Sequence, residues 1–357
     1  MIKEDKIKEY LSKKFNGKVT DVKIEKLGSG VVGTGYAVNF KLNDKQEKKI
    51  LKTLFTENLN LDHSSDRAKS LLLAHDNYNS MENHVKSVDV VGIKEDGSLI
   101  SVGESKEFFI LMDEAKGQDF FKDLESLNTK DSLDEKTRNK VINLTNFLIK
   151  LHKKKHNSES LYKRKIRDTI GSECLMGVLD IYPKETNWTT DKEISEMVKL
   201  CVDFWTKTKH MNHRLCEIHG DFHPGNIWFR EDNSFTILDR ARGTYGDAAD
   251  DISAFLINPI FYSLAKRGNF SGAYKELFDL FWNGYFKETK DREMRKVIAP
   301  YFAFRVAVVC TPMFYNDEFF GSKEKAKFTR RILYNFALNI LKESEFNPEK
   351  IKEYLRG

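Results

Sequence analysis

Four cysteines are all the chain contains, Cys174, Cys201, Cys216 and Cys310, without C-x-x-C spacing or a histidine partner at ligand distance. They read as reduced core residues, which excludes a disulfide framework and a zinc-ribbon module. No apolar run approaches the roughly 18 residues of a membrane span, and the opening stretch MIKEDKIKEYLSKKF is too charged for a signal peptide. The expectation is a soluble cytoplasmic protein with no membrane partner. No block of one charge appears either: 59 Lys and Arg are scattered among 54 Asp and Glu, for a net charge of +5. A nucleic-acid partner would call for a clustered basic face, so none is expected. Repeats and low-complexity segments are also missing.

What is present is enough apolar material, 40% of 357 residues, for two cores. The most informative stretch is Cys216 to Asp251, CEIHGDFHPGNIWFREDNSFTILDRARGTYGDAADD. His219-Gly220-Asp221 is followed by Asn226, and Asp239 ends the apolar run Phe235-Thr236-Ile237-Leu238. A kinase catalytic loop reads H-R-D-x-x-x-x-N, with a later Asp at a strand end. Phosphoryl transfer needs a carboxylate to orient and accept the proton of the attacking hydroxyl, and hard oxygen ligands for Mg²⁺. Asp221 suits the first need, Asn226 and Asp239 the second. A hairpin over Ile227 to Leu238, turned at Glu231-Asp232-Asn233, would return the chain to the loop. Taken singly, Asp221 and Asn226 also read as turn formers and Asp239 as a cap.

These residues resemble the aminoglycoside phosphotransferase and choline kinase-like superfamily, whose signature is H-G-D-x-x-x-x-N, then I-D, then G-D-x-x-x-D-L-A. Here the last piece is Gly246-Asp247-Ala248-Ala249-Asp250-Asp251-Ile252-Ser253. The resemblance implies a two-lobed, protein-kinase-like α+β fold, with Asp221 as catalytic base and Asn226 and Asp239 as Mg²⁺ ligands. His219, Asp247 and Asp251 are expected to support the loop. Many relatives carry an acid two positions after the metal Asp, where this chain has Ala241 between Arg240 and Arg242. A protein kinase lacks support, because the H-R-D arginine, D-F-G and A-P-E are absent.

Upstream, Ile7, Tyr10, Leu11 and Phe15 fit a helix ended by Asn16-Gly17. Strands are expected over Lys18 to Leu27 and Tyr36 to Leu42, with Gly28, Gly30 and Gly33 between them as a flap over nucleotide phosphates. A Rossmann turn would open a helix there, whereas Tyr36 to Phe40 alternates like a strand. Lys49 to Phe55 is a third strand, carrying Lys52 as the phosphate lysine in the manner of V-A-I-K. No Glu lies between Glu57 and Glu82 to hold it. Asp66, early in a helix expected over Ser65 to Tyr78, is the best-placed acid, although a first-turn acid also serves the helix dipole.

Val85 to Ile93, Leu99 to Val102 and Phe108 to Met112 read as further strands. Asp113 to Gly117 follows as hinge, similar to the M-E-x-x-x-G of relatives, with Asp113 and Ala115 offering backbone groups to the nucleotide base. The division expected is therefore residues 1–113 as N-lobe, 114–117 as hinge and 118–357 as helical C-lobe. Helices are expected over Glu135 to His152, Ile194 to Met211, Ile252 to Phe261, Ala273 to Tyr285, Val297 to Cys310 and Phe328 to Leu341. Lys153 to His156 reads as a helix-end basic cluster or an anion site. The aromatic carboxyl-terminal third reads as core, or as a cation site beside Asp250, Asp317 and Glu318.

The functional expectation is a small-molecule kinase passing the γ-phosphoryl group of ATP or GTP to a hydroxyl of an aminoglycoside-like, amino-alcohol or sugar acceptor, with Mg²⁺. The alternative is a catalytically silent nucleotide-binding or interaction protein on the same fold.

Overall fold

Ile7 and Leu11 lie one turn apart and form the buried face of helix α1, Glu4–Lys14, whose first turn is acidic and whose last turn is basic, as the helix dipole favours. They pack on Val19, Val38 and Phe40 from a three-stranded antiparallel sheet. Its strands are β1, Val19–Ser29, β2, Gly33–Leu42, and β3, Lys45–Leu54. Asn43 and Asp44, at φ 48° and 65°, make the two-residue left-handed turn that matches hairpin twist. The computed structural model describes residues 3–29, 33–54 and 60–356, and the chain divides into two compact units, Met1–Met112 and Asp113–Gly357. The fold is α+β: a small antiparallel-sheet unit and a mostly helical one.

The first unit continues with the helix Ser64–Ser80 and a short hairpin, Val91–Ile93 with Leu99–Ser101. Two expected strands are corrected. Of Val85 to Ile93 only the last three residues pair. Phe108 to Met112 has no regular structure, with Phe109 92% and Leu111 99% exposed. An apolar run becomes a strand only with a neighbour to complete its backbone ladder, and none pairs with it among the described residues.

In the second unit, the helix Ala248–Arg267 is buried from Ala248 to Ala265. The helices Gly272–Thr289, Ala299–Cys310 and Lys323–Lys342 pack on it. The aromatic residues make this core: Phe255, Phe261, Phe278, Phe281 and Phe302 are nearly or wholly buried. Asp250 is paired with Arg305 and Asp317 with Arg330, so the cation-site alternative is not formed by these acids. Two small ladders frame the remaining chain. Gln118–Asp119, Ile227–Phe229 and Phe235–Ile237 form one, and Cys216–Glu217 with Tyr245–Gly246 the other. Residues 218–244, including the expected catalytic loop, link the two strands of the second ladder and carry two strands of the first. No described helix is long and apolar enough to cross a membrane.

Candidate active site

The loop after Cys216–Glu217 is built around one buried carboxylate. Asp251, in the first turn of the helix Ala248–Arg267, accepts the backbone N–H groups of His219 (2.8 Å) and Gly220 (2.7 Å). His152 Nε2 donates to the same carboxylate at 3.1 Å while its Nδ1 meets the Tyr285 hydroxyl at 2.8 Å. Burial raises the Asp251 pKa, but His152 and the His219 backbone donor outweigh it and hold the group below its usual value. Gly220 turns the chain at φ +86°, a conformation costly for any residue with a Cβ, which accounts for glycine where protein kinases carry Arg.

His219 ties the loop together with its ring. Nδ1 accepts the N–H of Asp221 at 3.2 Å and Nε2 donates to the Leu238 carbonyl at 2.7 Å, which assigns the neutral Nε2–H tautomer. Asn226 joins the same two segments: its Nδ2 donates to the Asp221 carbonyl (3.0 Å), and its own carbonyl accepts the N–H of Leu238 (2.9 Å). Asp221, Asn226 and Asp239 are thus gathered on one loop and strand end. Asp239 is exposed, at φ 58°, and makes no hydrogen bond or ion pair among the described residues. Asn226 Oδ1 has no partner among them either. Two free hard oxygens, one amide and one carboxylate, fit a Mg²⁺ ion that takes its remaining ligands from phosphates and water. No cluster of three or more His, Cys, Asp or Glu side chains suited to a metal occurs among the described residues.

The Asp221 carboxylate faces two arginines. Arg305 Nη1 donates to Oδ1 at 2.5 Å, while Arg305 Nη2 bonds Asp250 at 2.6 Å and the Gly220 carbonyl at 3.3 Å. Arg242 Nη2 stands 3.6 Å from Oδ2. Burial raises the Asp221 pKa, but Arg305, Arg242 and His223 outweigh it, so the group lies below its usual value and is ionised at neutral pH. His223 is pushed down, by burial first, and stays neutral. Oδ1 is held, leaving Oδ2 as the oxygen open to an incoming hydroxyl.

Asp247 is a structural anchor. It caps the helix Ala248–Arg267 through the Ala249 N–H (3.0 Å), receives two bonds from buried Arg214 (2.7 and 2.9 Å) and one from Tyr162 (2.8 Å).

In the first unit, Gly28 of β1, Gly35 of β2 and Lys52 of β3 stand in register across the sheet. Gly33 leaves no room for a Cβ, which would lie 2.3 Å from the Thr53 carbonyl. Gly30, expected at the phosphate loop, lies outside the described residues. Lys52 is exposed, and the ion pairs among the described residues do not include one between it and Asp66. The Asp66 carboxylate instead accepts the His63 N–H at 2.8 Å, at the start of its helix. In the second unit, Asp113 is exposed and Ala115 half-buried in irregular chain. Sequence reasoning missed Arg305, Arg242 and His152 as neighbours of the loop. For Arg305 the available signal was a lone charge in the apolar run Tyr301 to Cys310, which must be paired once buried.

The model of a family described as "Phosphotransferase enzyme family" matches residues 39–285. No match was found among curated proteins. Solved structures similar to this chain include an ethanolamine kinase from Plasmodium vivax, with 14% identity, 94% of this chain and 80% of that one covered, and a TM-score of 0.32. An amicoumacin kinase is similar at 13% identity, with 95% and 96% covered and a TM-score of 0.37. The aminoglycoside phosphotransferase APH(4)-Ia is similar at 13% identity, with 95% and 99% covered and a TM-score of 0.35. With more than half of its length matched by that model, the chain belongs to the phosphotransferase enzyme family.

Proposed function

We propose that the chain transfers the γ-phosphoryl group of ATP or GTP to a hydroxyl of a small molecule, within the aminoglycoside-like, amino-alcohol and sugar range that the sequence motifs suggest. The observation that supports it most is the joining of Asp221 and Leu238 through Asn226, whose side chain bonds the Asp221 carbonyl and whose main-chain carbonyl takes the Leu238 N–H, with an ionised Asp221 oxygen left open. The acceptor oxygen forms a bond to the γ-phosphorus, the bond from that phosphorus to the β,γ-bridging oxygen breaks, and nucleoside diphosphate leaves. The hydroxyl proton passes to Asp221 Oδ2. A base of depressed pKa contributes chiefly by orienting the hydroxyl and taking its proton late.

Asn226 and Asp239 would hold Mg²⁺, which when bound neutralises phosphate charge and aligns the leaving group. Gly28, Gly33 and Lys52 are assigned to the phosphates, and Asp113 and Ala115 to the base through backbone groups. Ordered Asp221, Asn226 and Asp239 speak against a silent module.

The experiment is nucleoside diphosphate release from Mg-ATP and Mg-GTP against aminoglycosides, amino alcohols and sugars, neutral and acidic, for wild type and Asp221→Asn. Acceptor-dependent release should fall about 10²–10⁴-fold in the variant, with nucleotide affinity changed less than about twofold because the shape is kept. Turnover surviving the substitution would remove Asp221 from the role.

A further inference from the structure

Asp221 is approached by two arginines, Arg305 and Arg242, and neither has all of its donors matched. Arg305, 4% exposed, divides its donors between Asp221 and Asp250 and leaves Nε without a hydrogen-bond partner. Arg242, half-buried on the Oδ2 side, is less satisfied still. Its Nη2 is 3.6 Å from Asp221, beyond hydrogen-bonding range, and its Nη1 meets only the Cys174 sulfur at 3.5 Å. Its guanidinium lies over the Phe304 ring, 5.2 Å from the centroid. A thiol is a weak acceptor and a ring face takes no strong hydrogen bond, so this planar fork of donors has the longer ion pair to Asp221 but no oxyanion in hydrogen-bonding contact among the described residues. Lys165 donates to the Arg242 carbonyl, and no carboxylate pairs with Lys165 among the described residues. Asp250, the other acid at this edge, is already taken by Arg305, and Ala241 supplies none.

A half-buried guanidinium with one long ion pair keeps donors for a second anion, and a fork of this kind matches carboxylate or phosphate oxygens. A polycationic or quaternary ammonium acceptor would instead meet two like charges next to the base.

We propose that the acceptor carries an oxyanion, a carboxylate or a phosphate, close to the hydroxyl it presents to Asp221, and that Arg242 binds that oxyanion while Lys165 holds the Arg242 backbone in place. The inference rests on the phosphotransferase reading, keeps acidic sugars from its acceptor range and adds hydroxy acids. It sets aside aminoglycosides and cationic amino alcohols.

The test compares matched probes: glycerol, glycerate and glycerol phosphate; glucose, gluconate and glucose 6-phosphate; ethanolamine and kanamycin. Diphosphate release should show kcat/KM at least tenfold higher for an acidic probe than for its neutral parent. Arg242→Ala should cut that acid-to-neutral ratio at least tenfold, mainly through KM, and Arg242→Lys should restore part of it. A response to carboxylates alone or phosphates alone identifies the source of the oxyanion. Turnover of neutral or cationic probes equal to or above that of the acids, or a ratio unmoved by Arg242→Ala, overturns the inference and leaves the phosphotransferase reading standing. No turnover of any probe counts against that reading. Calorimetric titration with gluconate and glucose 6-phosphate then decides the inference separately: binding weakened at least tenfold by Arg242→Ala supports it, and no binding to the wild type overturns it.

Discussion

Gly220 is the residue on which the loop turns. Its φ of +86° costs a side-chain-bearing residue about 1–2 kcal/mol. A Cβ there would also stand 3.3 Å from Arg242 Cβ, tighter than ordinary contact. Gly220→Ala should therefore lower stability by about 1–2 kcal/mol in denaturant titrations and disturb the Arg242 side chain. An unchanged midpoint would show that the loop relaxes freely. Asp239 is the complementary case, exposed and unpartnered among the described residues, so truncation loses only the tolerance of Asp over Ala for its φ of 58°. Asp239→Ala should lower stability by no more than about 1 kcal/mol while weakening magnesium-dependent nucleotide binding. Unaltered magnesium dependence, read by fluorescence of a nucleotide analogue, would remove it from the ligand set.

At the scale of elements, the start of the helix Ala248–Arg267 does most to fix the site. Three acids stand within five positions, Asp247, Asp250 and Asp251, and two of them behave alike. Asp247 is held below its usual pKa because Arg214 and the Ala249 N–H outweigh a burial effect that alone would raise it. Asp251 is held low by His152 and the His219 backbone donor, again against burial. Asp250 goes up, burial outweighing Arg305. A depressed folded pKa contributes stability that is complete above the unfolded value of about 3.9 and is lost as pH falls through the folded value. A raised one contributes in the opposite sense, so protonation of Asp250 favours the fold. The acid limb below about pH 4 should thus be steep in the wild type and flatter in Asp247→Asn. That variant should be weaker by about 3 kcal/mol at pH 7, since it leaves Arg214 short of a buried partner. Thermal melts from pH 7 to pH 2 check both points, and parallel acid limbs would contradict the first. Much of this element was legible beforehand, because the acids of G-D-x-x-x-D lie close together in sequence. The helix Glu135–His152 was readable to its ends from its apolar spacing and the basic cluster that follows it. His152 as a partner of Asp251, and Arg305 as a partner of Asp221, were not. Those pairs are 99 and 84 residues apart, and no local pattern encodes them.

At the scale of the whole chain, the sequence marks a change of character near residue 113, from alternating to helical periodicity, and the structure divides between Met112 and Asp113. It does not reveal that Phe108 to Met112, as apolar as any strand, stays irregular and exposed, because pairing depends on a neighbour and not on composition. The two units also differ in what holds them. The first has a small cluster around Ile7, Leu11, Val19, Val38 and Phe40, whereas the second has a continuous core running through the helix Ala248–Arg267. Local opening follows the amount of apolar surface buried, so the first unit should exchange its amides at lower free energy than the second. An exposed irregular segment rich in Phe, Leu and Met is in turn the preferred target of chymotrypsin. Brief digestion should cut first between Phe108 and Met112 and release a carboxyl-terminal fragment that keeps its helical circular dichroism and its slowest amides in Ala248–Arg267. Early cuts within Ala248–Cys310 instead, or loss of helicity on cutting near Met112, would mean that the helical unit depends on the first for its stability.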